Sequence, residues 1–298
     1  MRLIFSIYIE FEDKDFDNNK DLTKNLHNKK QFKDNYNFLI SKQQQYAKEI
    51  NVDYKIFTND NNWKEYKTKF EKEYPYISKY NIVNFYKIHL LYEMSEIYDE
   101  IAYLDFDVVP ITKQNIFNFY NLKNGIVCKV NHEQEPKTYL NLLSIEEIKN
   151  REKWYKQTNS TFSERSPTAK YWNCKAMLLD EGYDGENDVY NTGIILSNSK
   201  NIKKLNYFND FKNVISQMHK LKTENGLWPL FIRDCFGYDN ETLFSFKMKQ
   251  NNVTLVKMDD DWHHTMHKWS YIPSETKMVH VINKDFEHVK EYVKKNNI

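Results

Sequence analysis

Two short apolar runs separated by an amphipathic stretch open this chain, and that order restricts the folds open to it. Residues 3–9 read as a buried strand, and the polar, charged residues 10–30 as a loop. Across 32–50, Phe32, Tyr36, Leu39, Ile40, Ala47 and Ile50 fall on one side of a helix. Val52 to Phe57 is then a second strand. Strand, helix and strand make a β-α-β unit, the opening of a parallel sheet. The pattern continues over 80–97, where Ile82, Phe85, Tyr86, His89, Leu90, Met94 and Ile97 keep helical spacing. Ile101 to Leu104 is a third apolar strand, followed by a short helix in 113–120 and a strand at 125–130. Later come strands at 190–196, 253–256 and 278–282, helices over 200–221 and within 227–250, and a charged last helix.

Residues 131–187 break this rhythm. They are polar and weakly periodic, with helical patches at 144–156, and hold Trp154, Trp172 and Gly182. They read as an insertion covering a site. The expectation is one α/β domain over 1–298, a mixed sheet flanked by helices on both faces.

The third strand ends in Asp105-Phe106-Asp107-Val108-Val109-Pro110. On an extended segment side chains alternate, so Asp105 and Asp107 face the same way and Phe106 points into the sheet. The C-terminal end of a strand is where open α/β sheets bind ligands. Two carboxylates there suit Mn²⁺ or Mg²⁺. The tripeptide D-x-D alone is a common turn or cap; its place directly after Tyr103-Leu104 favours the metal reading.

Composition excludes other classes. With 40% hydrophobic and 29% charged residues, the 298-residue chain has the makeup of a globular protein. A net charge of +1 argues against a nucleic-acid partner. The three cysteines, Cys128, Cys174 and Cys235, are widely spaced without a C-x-x-C pair, which fits a reducing compartment better than a disulfide framework. No apolar run approaches the roughly 20 residues of a membrane span. The first apolar run is too short for a signal peptide, so a soluble, cytoplasmic protein is expected. The oligomeric state is not readable.

Taken together, Tyr86-Lys87-Ile88-His89 and Ile101 to Pro110 resemble the nucleotide-sugar transferases of the GT-A fold. The nearest likeness is to the glycogenin and galactosyltransferase-like group, glycosyltransferase family 8. Further likenesses follow in order. Tyr190-Asn191-Thr192-Gly193-Ile194-Ile195 resembles that family's F-N-[SA]-G-V strand, Gly237-Tyr238-Asp239-Asn240 its G-x-D-Q, and Met278-Val279-His280 its V-x-H-F. The resemblance implies a Rossmann-type mixed sheet and a UDP-sugar donor lying over the first strands. It also implies sugar transfer with retention to a glycan or glycoconjugate acceptor.

The residue roles it implies are these. Asp105, Asp107 and His280 are metal ligands. Lys87, Phe106, Gly193 and Lys284 lie at the donor, and Lys87, Asn191 and Asp239 serve catalysis. There are departures: Val281-Ile282-Asn283-Lys284 stands where the family has a glycine and K-P-W, and Asn240 replaces a glutamine. Family 32 transferases share Y-L-D-x-D but carry glycines before that strand, and none is present here.

Each partner also has a plain structural reading. Lys87 lies off the apolar stripe and would be solvated. Asn191 and Gly193 would allow close strand packing. Asp239 would cap a helix, and His280 would be a buried histidine. A rival metal constellation is the run Asp259-Asp260-Asp261-Trp262-His263-His264 with His267, in which His263 and His267 share a helical face. A loop near the acceptor, with Trp262 stacking on sugar, is the favoured reading of that run. Two other functions remain. One is a nucleotidyltransferase, against which stands the lack of glycine in residues 1–30; the other is an inactive glycan-binding protein on the same scaffold.

Overall fold

The computed structural model describes residues 1–16, 22–131, 166–223, 237–266, 271–296 and 298. The chain divides into two compact units. One comprises Met1–Lys129, Thr192–Lys203 and Thr254–Ile298, and the other Val130–Asn191 and Lys204–Val253.

The strands are β1 (Arg2–Ile7), β2 (Asp53–Phe57), β3 (Glu100–Leu104), β4 (Val108–Pro110), β5 (Ile126–Val130), β6 (Tyr190–Asn198), β7 (Leu255–Lys257), β8 (His264–Thr265) and β9 (Met278–His280). The helices are α1 (Leu22–Asp34), α2 (Tyr36–Glu49), α3 (Asn61–Glu73), α4 (Lys79–Ser95), α5 (Ile116–Phe119), α6 (Ser166–Asp180), α7 (Ser199–Leu205), α8 (Phe211–Thr223), α9 (Asn240–Gln250) and α10 (Phe286–Asn296).

The main sheet runs β2-β1-β3-β6-β5-β7. β1 pairs in parallel with β2 and β3, and β3 pairs antiparallel with β6, so the sheet is mixed and flanked by helices as expected. Successive residues of β1 alternate between its faces. Ser6 hydrogen-bonds Gln43 of α2, while Phe5 lies against Phe57 and Tyr103. The α2 face buries Ile4, Tyr46, Ala47, Ala102, Leu104, Ile194, Leu196 and Trp262 in one cluster. A second sheet, β4-β9-β8, carries its own cluster of Leu39, Phe106, Val109, Val279, Val281, Phe286 and Val289. α2 thus serves both, through Leu39 and through Tyr46 and Ala47. At the far edge, Ile126 N donates to Thr254 O, and a Cβ on Gly125 would meet that oxygen at 2.1 Å. Only glycine lets β5 approach β7 so closely there.

In the other unit, α6 packs on α8 and α9. Cys174, Met177, Leu178, Val214, Ile215, Met218, Leu221, Phe244 and Phe246 are buried.

Several readings of local structure need correction. Residues 22–30, expected as loop, belong to α1, and the helix expected over 32–50 is the end of α1 and all of α2, divided at Asn35. That helix has no fully buried residue, so it has no apolar stripe for periodicity to find; its Lys, Gln and Leu content carries it instead. The helix expected over 200–221 is two, broken at Asn206 and Asp210, which both take positive φ. Ile97, assigned to an apolar stripe, lies beyond α4 and is 53% exposed. The patches at 144–156, Trp154, Cys235 and His267 fall outside the described residues. Among those described, no helix is long and apolar enough to cross a membrane.

Candidate metal centre

The two acids meet through a turn, not through strand alternation. β3 ends at Leu104; Asp105 N donates to Gly193 O at 2.7 Å, and Val108 N donates back to Asp105 O at 2.9 Å. Residues 105–108 therefore close a tight turn before β4 begins. Phe106 does not enter the main sheet. It packs against Tyr8, Phe32 and Tyr36, with ring centroids 4.8, 5.6 and 5.6 Å away.

The turn is tied down from beneath by Gln43. Its Nε2 donates to Asp105 O (3.1 Å) and Val108 O (2.9 Å). Its Oε1 accepts from Ser6 Oγ (2.5 Å) and Tyr54 OH (3.0 Å). A fully buried amide with all four hydrogen-bond positions used is a rigid support. Sequence reading missed it, because a lone glutamine on a helix carries no local signal.

β9 brings the third group. It pairs antiparallel with β4, in the register Val108 to His280, which places His280 beside the turn. Val281 N donates to Asp107 O at 3.0 Å. His280 Nε2 lies 3.8 Å from Asp105 Oδ2 and 3.5 Å from Asp107 Oδ2. One ligand atom from each of the three falls within 4.8 Å of the others, and this is the one such trio among the described residues. Two carboxylates and an imidazole nitrogen form an oxygen-rich donor set that fits Mn²⁺ or Mg²⁺.

Charge is balanced around the trio. Lys284, at a positive φ of 59°, pairs with Asp107. Burial works to raise the Asp107 carboxyl, but Lys284 and then His280 outweigh it and hold it well below the usual carboxylate range. Lys87 is buried, contrary to the solvated reading, because α4 is packed beyond the stripe that periodicity picks out. Its Nζ donates to Thr192 O at 3.0 Å and lies 3.4 Å from Asp105 Oδ1. Tyr103 OH donates to the same Oδ1 at 2.5 Å, and burial, with Asp105 next, keeps that phenol protonated well above its ordinary range. Tyr103→Phe is expected to lower stability by about 1–2 kcal/mol in urea titrations followed by circular dichroism. An unchanged midpoint would show that this hydroxyl contributes nothing to holding Asp105.

A cavity of about 200 Å³ opens beside the trio. Asp105, Asp107, His280 and Lys284 line it together with the aromatic Tyr8, Phe11, Phe16 and Phe32. Of those aromatics, Tyr8, Phe11 and Phe16 follow the strand that the resemblance places under a nucleoside, while Phe32 comes from α1 and was read from sequence only as part of a packing stripe.

The remaining site candidates belong to the other unit, apart from Gly193, whose carbonyl anchors the turn. Asn191 Nδ2 donates to Asn131 Oδ1 at 3.0 Å. Asp239 caps α9, accepting from Thr242 N (2.9 Å) and Thr242 Oγ1 (2.7 Å). Burial pushes its carboxyl above the usual range, with Lys170 opposing.

Among the described residues, the run 259–264 forms no metal-ligating trio of its own. Asp260 pairs with Lys129 at 2.7 Å and Asp261 with Lys277. Asp259 N donates to Tyr120 OH at 2.9 Å. Trp262 is fully buried against Phe119 and Tyr120, so it has no face to offer a sugar. His263 and His264 lead into strand β8 and not a helix; His263 Nε2 lies 2.8 Å from His280 Nδ1.

No family model matches this chain, and no curated protein matches it. Solved structures do. Mouse xyloside xylosyltransferase 1 aligns at 13% identity and TM-score 0.37, covering 77% of this chain and 76% of its own. A glycosyltransferase involved in glycosylation of the major capsid of PBCV-1 aligns at 10% and 0.42, covering 99% and 98%. The galactosyltransferase LgtC, solved with donor and acceptor sugar analogs, aligns at 10% and 0.44, covering 95% and 87%. At such identities and scores these are likenesses only, and no residue's role is taken from them.

Proposed function

We propose that this chain is a glycosyltransferase. It moves a sugar from a nucleotide-sugar, UDP-linked, to a hydroxyl of a glycan or glycoconjugate, with retention and with Mn²⁺ or Mg²⁺. The observation that carries this reading is the convergence of Asp105, Asp107 and His280 on the turn after β3, at the wall of an aromatic-lined cavity. A divalent ion held by those three would neutralise the charge that develops on a departing diphosphate. Lys284, on the same wall, adds a positive charge for the phosphates. Tyr8, Phe11 and Phe32 line the same cavity and give it an aromatic wall suited to a base. Lys87 and Tyr103 act through Asp105, fixing one of its oxygens so that the other faces the trio. Asn191 and Asp239 position the transferred sugar, a role that rests on their motifs.

The test is a donor screen. UDP-, GDP- and other nucleotide sugars are incubated with the protein, with Mn²⁺ or with EDTA, and released nucleotide is assayed. Release from one donor that stops with EDTA supports the reading. Release of sugar 1-phosphate in place of the nucleoside diphosphate would indicate a nucleotidyltransferase. Glycan binding with no turnover of any donor would indicate a binding protein.

Asp239 needs its own experiment because it caps a helix. Asp239→Ala is expected to cost about 1–2 kcal/mol through the lost cap, whereas Asp239→Asn keeps the cap and most of that stability. If Asp239 also works on the sugar, the Asn variant loses turnover while its melting temperature holds. Full turnover in the Asn variant would leave Asp239 a cap and nothing more.

A further inference from the structure

We propose that His263 is the positioning residue for the metal centre, presenting an acceptor to His280 Nδ1 so that His280 Nε2 is turned, unprotonated, toward a divalent cation. This inference rests on the metal reading of Asp105, Asp107 and His280 given above.

The geometry is specific. His280 Nε2 faces both carboxylates, at 3.8 and 3.5 Å, which leaves Nδ1 as the nitrogen on the far side of the ring. His263 Nε2 stands 2.8 Å from that Nδ1. A neutral imidazole has one hydrogen; if Nε2 gives its lone pair to a cation, the hydrogen sits on Nδ1 and requires an acceptor. His263 Nε2 is that acceptor, and the hydrogen of His263 is then on its own Nδ1. That atom is buried and has no hydrogen-bond partner among the described residues. A fully buried histidine with an unpartnered nitrogen is unfavourable as packing alone. Its position is understandable if the bond to His280 is what it serves.

The fold holds the pair together from both sides. β8 runs parallel to β9, with His264 opposite Val279 and Thr265 opposite His280. Lys129 Nζ donates to His263 O at 3.1 Å and pairs with Asp260, fixing the backbone just before β8. The rings of His263 and His280 lie 5.1 Å apart at 32°.

The experiment measures Mn²⁺ binding alone, by electron paramagnetic resonance of free Mn²⁺, for the wild type, His263→Phe and His263→Gln. Melting curves run alongside. The Phe variant keeps a ring but no acceptor and is expected to bind Mn²⁺ about 10–100-fold more weakly. The Gln variant keeps an acceptor oxygen and is expected to recover most of the affinity, whatever its melting temperature. Unchanged affinity in the Phe variant overturns the inference. Equal weakening in both variants does so too, since it marks a structural role only. No binding by the wild type overturns the metal reading and this inference with it. Should the Phe variant not fold, ¹⁵N spectra of the imidazoles in the Mg²⁺-saturated wild type decide: hydrogen on His280 Nδ1 and on His263 Nδ1 supports the inference, and hydrogen on His263 Nε2 refutes it.

Discussion

On the proposed transferase reading, Asp107→Asn is expected to lower Mn²⁺-dependent nucleotide release by roughly 10²–10³-fold, the loss from removing one centrally placed electrostatic group. The substitution also disturbs stability, and the two effects have to be separated. Asp107 is buried, Lys284 is half-buried, and the two are paired with each other. Removing one partner of such a pair typically costs about 3–5 kcal/mol, because a buried charge is left uncompensated. The double variant Asp107→Asn with Lys284→Met removes both charges. It is expected to recover most of the lost stability and to remain inactive. Urea titration and the nucleotide-release assay, run on all three proteins, check this. Turnover in a folded double variant at near wild-type rate would sink the assignment of Asp107 as a ligand. A double variant no more stable than the single would show that the pair with Lys284 is not what Asp107 contributes to folding.

Gln43→Leu is expected to destabilise the protein by about 3–5 kcal/mol, the largest stability effect predicted for a neutral residue here. Leucine fills the volume but makes none of the four bonds. Asp105 O, Val108 O and Tyr54 OH each lose a partner in a buried or half-buried setting, while the single hydrogen of Ser6 Oγ can turn to Leu104 O at 2.8 Å. Each buried group left without a partner costs about 1–3 kcal/mol, most where the site is fully closed, as at Val108 O. The effect goes beyond stability, since the carbonyls released are those of the turn that presents Asp105 and Asp107. Mn²⁺ affinity is therefore expected to fall in molecules that remain folded. A shift below about 1 kcal/mol in urea titration would mean the turn holds itself, through its own bond from Val108 N to Asp105 O.

Much of the frame was legible in the chain. β1, α2, β2, α4 and β3 follow from two periodicities, near 2 and 3.6 residues, which each segment carries on its own. The acids at the end of β3 were found by their place after an apolar strand, and His280 at the end of β9 by the likeness of Met278-Val279-His280 to a family motif. α1 was not found, since a helix without an apolar stripe has no periodic signal. Trp262 was misjudged for the opposite reason: its flanking acids suggest an exposed loop, yet those acids are taken up by Lys129 and Lys277 while the indole turns inward.

What the sequence by itself determined is which groups have the chemistry: two carboxylates two residues apart at a strand end, and an imidazole some 170 residues later (~173 by position). The acids are legible because strand ends and apolar runs are local properties, and the imidazole because a short motif likeness is local too. What only the tertiary structure decided is how those groups are held. The pairing of β4 with β9 sets His280 beside the turn, and that of β8 with β9 sets His263 behind it. Gln43 crosses from α2 to the turn, and Lys87 is buried against Asp105 and Thr192. Each of these depends on register and burial between segments distant in the chain, where a glutamine, a lysine or a histidine looks the same whether it is solvated or supports a site.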